Sequence, residues 1–384
     1  MRVAILTYTA HTGAFATVAR NIAKGLAAQS VGVDLLYLVN SRGDEIEAYP
    51  GTTRFLRIGG RSRTCWIGVL RYLRRTRPDV LISLGWVLNP AAVVGVALAR
   101  TRTVLLLNEA SLLSYKSRVE HRASWALRSL APLARLLYPR AHAVTGVSSA
   151  VVEDLVEEIG LNPRRVALHV VPNAVDADQV VAASRRTEPL IAGPEPLFVN
   201  VARHARQKNL PLLLRGFARF HTETGTGTLV LIGDGPESEH LHRLAAELGV
   251  ARHVYFLGCL DNPFPQMAAA TALVLTSEEE GFGLVLIEAM ALGVPVIATD
   301  CPGAPRELLR GGLTGLLVPN QDENALTDAL QRIATDSPLR ARLSEVGRKR
   351  ARDFSPETVG QMWLELSRSS ASPGSCVAMY GGEP

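Results

Sequence analysis

Short apolar runs, each followed by a helical pattern, recur in two series along this chain of 384 residues. In the first series, residues 2–6, 33–39, 80–84, 103–107 and 143–147 read as strands, with a helix over 16–29 between the first two. In the second, residues 197–201, 228–232, 254–257, 272–275, 294–298 and 314–318 read the same way. Strands that are apolar throughout are buried on both faces, and strands joined by helices pair in parallel with right-handed crossovers. The expected fold is therefore α/β, with two Rossmann-like domains in tandem. Ligands in such sheets bind outside the carboxyl ends of the strands, so the cleft between the halves is the expected site.

The looser, polar stretch 176–196 reads as the linker, and the polar, Gly- and Pro-containing tail 369–384 as disordered. The net charge of +5 fits a phosphorylated small molecule, anionic lipid or nucleic acid, and no nucleic-acid-binding signature supports the last. Cys65, Cys259, Cys301 and Cys376 have no metal-ligand spacing. The start MRVAILTYTA looks like a strand rather than a signal, and no apolar run approaches the roughly 18 residues of a spanning helix. A cytoplasmic protein is expected. The segment WIGVLRYLRRTR places Arg71, Arg74 and Arg75 opposite an apolar face. It reads either as weak peripheral contact with anionic lipid or as the solvated face of an ordinary helix.

Chemistry gathers just after the strand ends of the second half. Arg203 and Lys208 share one short loop, and paired cations suit a diphosphate. LVLIGDGPES sets Gly233 and Gly235 in a tight turn, but lacks the third glycine of a dinucleotide fingerprint. His204 reads as a surface or packing residue, and the D-x-D of Asp176 and Asp178 as chance. SEEEGFGLVLIEAM puts Gly281 and Gly283 at a helix start, where backbone N–H groups accept a phosphate. Glu288 lies on the first turns of that helix inside an apolar run. A carboxylate there needs a partner, and a ribose offers two hydroxyls.

The spacing from Glu280 to Glu288 resembles the E-x(7)-E donor-binding signature of retaining GT-B glycosyltransferases, with family 4 the nearest match. GVPVIATDCPGAPREL, GLLVPNQD, VSSAVVEDL and VPNAVD resemble further segments of that family, and FSPETVGQMW resembles its closing helix. The resemblance implies a GT-B fold with two Rossmann-like domains facing each other across a cleft. The acceptor-binding domain would be 1–180, the nucleotide-sugar donor domain 181–355, and 356–368 a helix crossing back to the first domain.

It also implies roles. Glu288 would hold the ribose and Glu280 the donor sugar's hydroxyls. Arg203 and Lys208 would neutralise the diphosphate, helped by amides near Phe282, Gly283 and Leu284, with Gly233 and Gly235 also on the donor side. Glu278 and Glu279 read as solvated loop charges. On the acceptor side stand His11, Gly13, Asn108 and Glu109, although HTGAFATVARN has a single glycine where relatives carry two. Ala110 also stands where a histidine is common, and Glu109 could equally cap a helix. No metal and no cofactor are expected. The implied reaction moves a hexose or N-acetylhexosamine from an NDP-sugar, UDP- before GDP-, to a hydroxyl with retention. The acceptor would be a lipid-linked glycan, or a small molecule such as a natural-product aglycone or aminocyclitol. A non-catalytic nucleotide-sugar-binding protein is the alternative from another class.

Overall fold

The computed structural model describes residues 1–9, 13–39, 53–59, 64–117, 130–192 and 195–371. The chain divides into two compact units, one of Met1–Val175 with Phe354–Pro384 and one of Asp176–Asp353. His11 and residues 372–384 of the expected tail lie outside the described residues, as does most of the arginine-rich segment after Lys116.

The first unit is built on seven parallel strands in the order β3-β2-β1-β4-β5-β6-β7. These are β1 (Arg2–Thr9), β2 (Gly32–Val39), β3 (Thr53–Arg57), β4 (Val80–Leu84), β5 (Val104–Glu109), β6 (Ala143–Gly146) and β7 (Ala167–Val170). The central strands are buried along their whole length, as their unbroken apolar runs require. The two edge strands, β3 and β7, are the ones that sequence periodicity missed. β3 is half exposed and carries Arg54 and Arg57, and β7 carries His169, so neither reads as an apolar run.

The last helix among the described residues, Pro356–Ala371, packs on the helix Ala14–Ala28 of this same unit. The two backbones touch where Gly25 faces Gly360. A Cβ on Gly25 would sit 1.8 Å from the Pro356 carbonyl oxygen.

The second unit has six parallel strands in the order β10-β9-β8-β11-β12-β13. They are β8 (Leu197–Val201), β9 (Thr228–Ile232), β10 (Val254–Phe256), β11 (Ala272–Leu275), β12 (Val296–Asp300) and β13 (Leu316–Pro319). A core of Phe198, Phe217, Phe220, Leu229 and Ile297 fills one face. The stretch expected to be a loose linker instead holds a helix, Ala177–Ser184. Asp176 accepts from the Gln179 amide and so caps it, which accounts for the first aspartate of the D-x-D pair.

Candidate active site

The site is assembled at the carboxyl ends of β8, β11 and β12, three neighbours in the middle of the second sheet. β8 leads through Arg203 into a single 3-10 turn, Arg206–Lys208. β11 leads into the loop carrying the three glutamates, and β12 into the loop around Gly303. Thr276 Oγ1 donates to the carbonyls of Lys208 and Asn209, each at 3.1 Å, and Thr299 Oγ1 donates to the Ser277 carbonyl at 2.7 Å. These threonines fasten the three loops to one another.

Lys208 Nζ donates to Glu280 Oε2 at 2.5 Å, and Ser277 Oγ donates to the same oxygen at 3.2 Å. Neither charged side chain is fully shut in: Lys208 keeps 18 % and Glu280 12 % of its side-chain surface. Burial alone would pull the Lys208 ammonium down. The charge and hydrogen bond of Glu280, with Glu279 behind it, outweigh that and hold the ammonium above its ordinary value. Arg203 is exposed and forms no ion pair among the described residues, so its guanidinium is available to a ligand.

Glu280 is positioned by its backbone. Its N–H donates to the Pro302 carbonyl at 3.0 Å, and its carbonyl accepts from the Ala304 amide at 2.9 Å. Gly303, between these partners, has φ 125°, and a Cβ there would sit 1.9 Å from the Glu280 carbonyl oxygen. Only glycine lets the two loops close to this distance. Gly303→Ala is expected to cost roughly 2–4 kcal/mol of folding stability while displacing Glu280. Thermal melting of the variant with the wild type would contradict that account.

After Gly281 and the buried Phe282, Gly283 takes up φ 89° and begins the helix Leu284–Leu292. Leu286, Ile287, Ala289, Met290 and Ala291 are buried, so the helix is enclosed on most sides. Glu288 belongs to it, is only partly exposed, and has no hydrogen-bond partner among the described residues. Burial pushes its carboxyl up to about 7. A carboxylate held in this way is an acceptor without a donor.

The other donor-side glycines serve packing. A Cβ on Gly233 would meet the Ala202 carbonyl oxygen at 1.9 Å, and one on Gly235 the His204 carbonyl oxygen at 2.3 Å. They let the turn after β9 lie against the Arg203 loop. His204 is buried and joins the two turns through Nδ1 and Ser238 Oγ, 2.9 Å apart.

One expectation is corrected. Glu279 is not a solvated charge: it has no exposed surface, and Gln207 Nε2 donates to its Oε2 at 2.5 Å. Three consecutive acids look alike in sequence, and the loop's path decides which one turns inward. Asn108 and Glu109 do not face outward either. Asn108 donates to Thr145 Oγ1 at 2.9 Å. Glu109 is fully enclosed, accepting from Asn89 at 2.6 Å and from the Tyr138 hydroxyl. Burial pushes its carboxyl up to about 8, with the Tyr138 and Asn89 hydrogen bonds opposing. Its side-chain partners are thus Asn89 and Tyr138, and it caps no helix among the described residues. Gly13 is exposed at φ 85° and begins the helix Ala14–Ala28.

Sequence reasoning passed over Gln207 and Gly303. The signal for Gln207 was its place beside Lys208, and for Gly303 a glycine in the turn after a strand. Among the described residues no group of three or more His, Cys, Asp or Glu could hold a metal ion, and no helix is long and apolar enough to cross a membrane. Arg71, Arg74 and Arg75 are exposed, whereas Trp66 of the same helix packs against the core.

The chain is 33 % identical over 203 residues to the lipopolysaccharide core biosynthesis glycosyltransferase LpsE of Rhizobium meliloti, covering 53 % of this chain and 58 % of that protein. It is 32 % identical over 222 residues to a diphospho-undecaprenol-linked 4-alpha-N-acetylgalactosaminyltransferase of Campylobacter jejuni, covering 58 % of this chain and 59 % of that protein. The chain thus spans about three fifths of the length of these curated relatives. Among solved structures, sucrose-phosphate synthase from Thermosynechococcus elongatus superposes with a TM-score of 0.75 at 24 % identity, over 96 % of this chain and 98 % of that one. HepE from Anabaena, in complex with UDP, does so with 0.74 at 20 %, over 96 % and 100 %. These likenesses carry the fold, two parallel-sheet Rossmann-like units of the GT-B class. Residues 15–179 match the family model described as Glycosyltransferase Family 4, and residues 183–350 the one described as Glycosyl transferases group 1. The chain is thus similar to Glycosyltransferase Family 4 in its first half and to Glycosyl transferases group 1 in its second.

Proposed function

We propose that the chain transfers a hexose or N-acetylhexosamine from a nucleoside-diphosphate sugar to a hydroxyl, with retention and without a metal ion. The observation that carries this reading is Glu288, a partly buried carboxylate with no side-chain donor among the described residues, on the helix that follows Glu280 and Lys208. A ribose supplies the missing donors. The Lys208 ammonium and the exposed Arg203 guanidinium then meet the diphosphate. Glu280, once Lys208 turns toward phosphate, accepts from hydroxyls of the sugar. As the sugar–phosphate bond breaks, negative charge grows on the leaving diphosphate, and fixed cations there favour the transition state over the ground state. The acceptor hydroxyl attacks from the face the diphosphate leaves and passes its proton to the departing diphosphate oxygen, so no protein nucleophile is needed.

UDP as the nucleotide is supported by relatives of this fold solved with UDP, and a lipid-linked or glycan acceptor by the names of the curated relatives. One experiment tests the reading. A thermal-shift screen of nucleotides and nucleotide sugars identifies the donor, since a ligand at about 100 times its dissociation constant stabilises by roughly 2.7 kcal/mol. Transfer is then followed with that donor in the presence of EDTA, with the anomeric proton read by NMR. Retained configuration and full rate in EDTA are expected. Inversion, a metal requirement, or donor binding without hydrolysis or transfer would overturn the corresponding part.

A further inference from the structure

Lys208 sits on a short and weakly built element. Its 3-10 turn spans Arg206–Lys208, entered from extended backbone at Ala205 and left through Asn209 in the left-handed region, φ 44°. The turn's own hydrogen bonds are Lys208 N–H to the Ala205 carbonyl at 2.9 Å and Asn209 N–H to the Arg206 carbonyl at 3.0 Å. A turn of this size does not hold a side chain in place by itself. Its position is imposed from the loop after β11.

Gln207 is tied to that loop from both main chain and side chain. Its carbonyl accepts from the Glu278 amide at 2.8 Å, and its Nε2 donates to the Glu279 carbonyl at 3.1 Å and to Glu279 Oε2 at 2.5 Å. Glu279 has no exposed surface, so its carboxylate has lost water and depends on protein donors. Moving the Gln207 amide away would take one donor from that buried carboxylate, which opposes the displacement. Lys208, the next residue, reaches Glu280, the neighbour of Glu279.

We infer that Glu279 and Gln207 are a positioning pair that fixes the Lys208 ammonium at the diphosphate site, an inference that rests on the reading of that site above. Neither residue needs to touch the ligand. Glu279 anchors the amide, the amide anchors the turn, and the turn aims the cation.

The test compares two affinities by calorimetry, for UDP and for uridine, with GDP and guanosine as the second pair. The diphosphate reads Lys208, whereas the nucleoside reads Glu288. Gln207→Ala and the volume-conserving Gln207→Met are expected to weaken UDP binding about tenfold and leave uridine binding within about twofold. Melting temperatures of both variants are measured alongside, since a loss of fold would lower both affinities together.

Lys208→Ala is the control. If it weakens UDP selectively while both Gln207 variants keep the wild-type ratio, the positioning role is wrong and the site reading stands. Equal losses for UDP and uridine in the Gln207 variants also refute it. If neither nucleoside diphosphate binds, or Lys208→Ala leaves the ratio unchanged, the site reading falls and takes this inference with it.

Discussion

Lys208→Ala is expected to lower turnover by about 10²- to 10³-fold, the loss usual when one preorganised charge is removed from a developing anion. The affinity for the intact donor should fall much less. The ammonium is well prepared to meet that anion. Glu280 and Glu279 outweigh the effect of burial and hold it above its ordinary value, so the cation stays charged across the neutral range. In the free protein that charge is shared with Glu280 at 2.5 Å. The leaving diphosphate competes for it most strongly when its own charge peaks, which is the condition for differential stabilisation. Steady-state kinetics check this. A variant with unchanged kcat, or one whose kcat loss only mirrors a raised KM, would refute the charge-neutralising role.

Glu288→Gln is expected to weaken UDP binding by about 10- to 100-fold, because charge-assisted bonds from ribose hydroxyls become neutral ones. Its signature is in the pH dependence. In the wild type, burial pushes this carboxyl up to about 7. The ribose favours the ionised form, so UDP affinity should rise with pH up to about 7 and then level off, with proton release on binding below that pH. The variant should lose both effects. Calorimetry in buffers of different ionisation enthalpy measures them, and a pH-independent wild-type affinity would remove Glu288 from the ribose.

The same residue should act on folding with the opposite sign. An unfolded glutamate ionises near its ordinary 4.5, whereas Glu288 in the folded chain does so near 7. Within that window the folded state holds the extra proton, so its contribution to stability declines as pH rises, and the penalty is complete above about 7. Glu288→Gln should therefore stabilise the free protein at pH 8, by an amount on the order of 2 kcal/mol after allowing for partial solvent access. A variant that binds nucleotide worse and melts higher is the pattern of a site held at the expense of stability.

The parallel strands of both sheets were legible because double burial demands uninterrupted apolar sequence. Val80–Leu84 and Thr228–Ile232 have the ends that the periodicity indicated. The edge strands β3 and β7 were not, since a half-exposed strand bearing Arg54 or His169 carries no such signal. The helix Ala177–Ser184 hid in a polar stretch because its evidence is a single capping aspartate. In the candidate site, Glu288 stood out against its apolar run and Arg203 with Lys208 as paired cations on one loop, whereas Glu280 was singled out only by the family resemblance. Their supports could not be read in either way. Gln207, Glu279 and Gly303 act through contacts between loops far apart in sequence, such as Glu280 with Ala304, which only the path of the folded backbone brings together.

The helix Pro356–Ala371 completes the first unit after the second has been made. Val175 N–H donates to the Phe354 carbonyl at 2.8 Å, so the outgoing and returning segments lie side by side where the chain leaves the unit and comes back. On the ribosome the chain emerges from its amino end. The Asp176–Asp353 unit is contiguous and can fold as soon as it has cleared the exit tunnel. The Met1–Val175 portion has to wait. The face of the helix Ala14–Ala28 beside Gly25 has no partner until residues 356–371 have been translated. A chain stopped after residue 353 would thus hold every residue of the second unit while the helix Ala14–Ala28 lacked its partner.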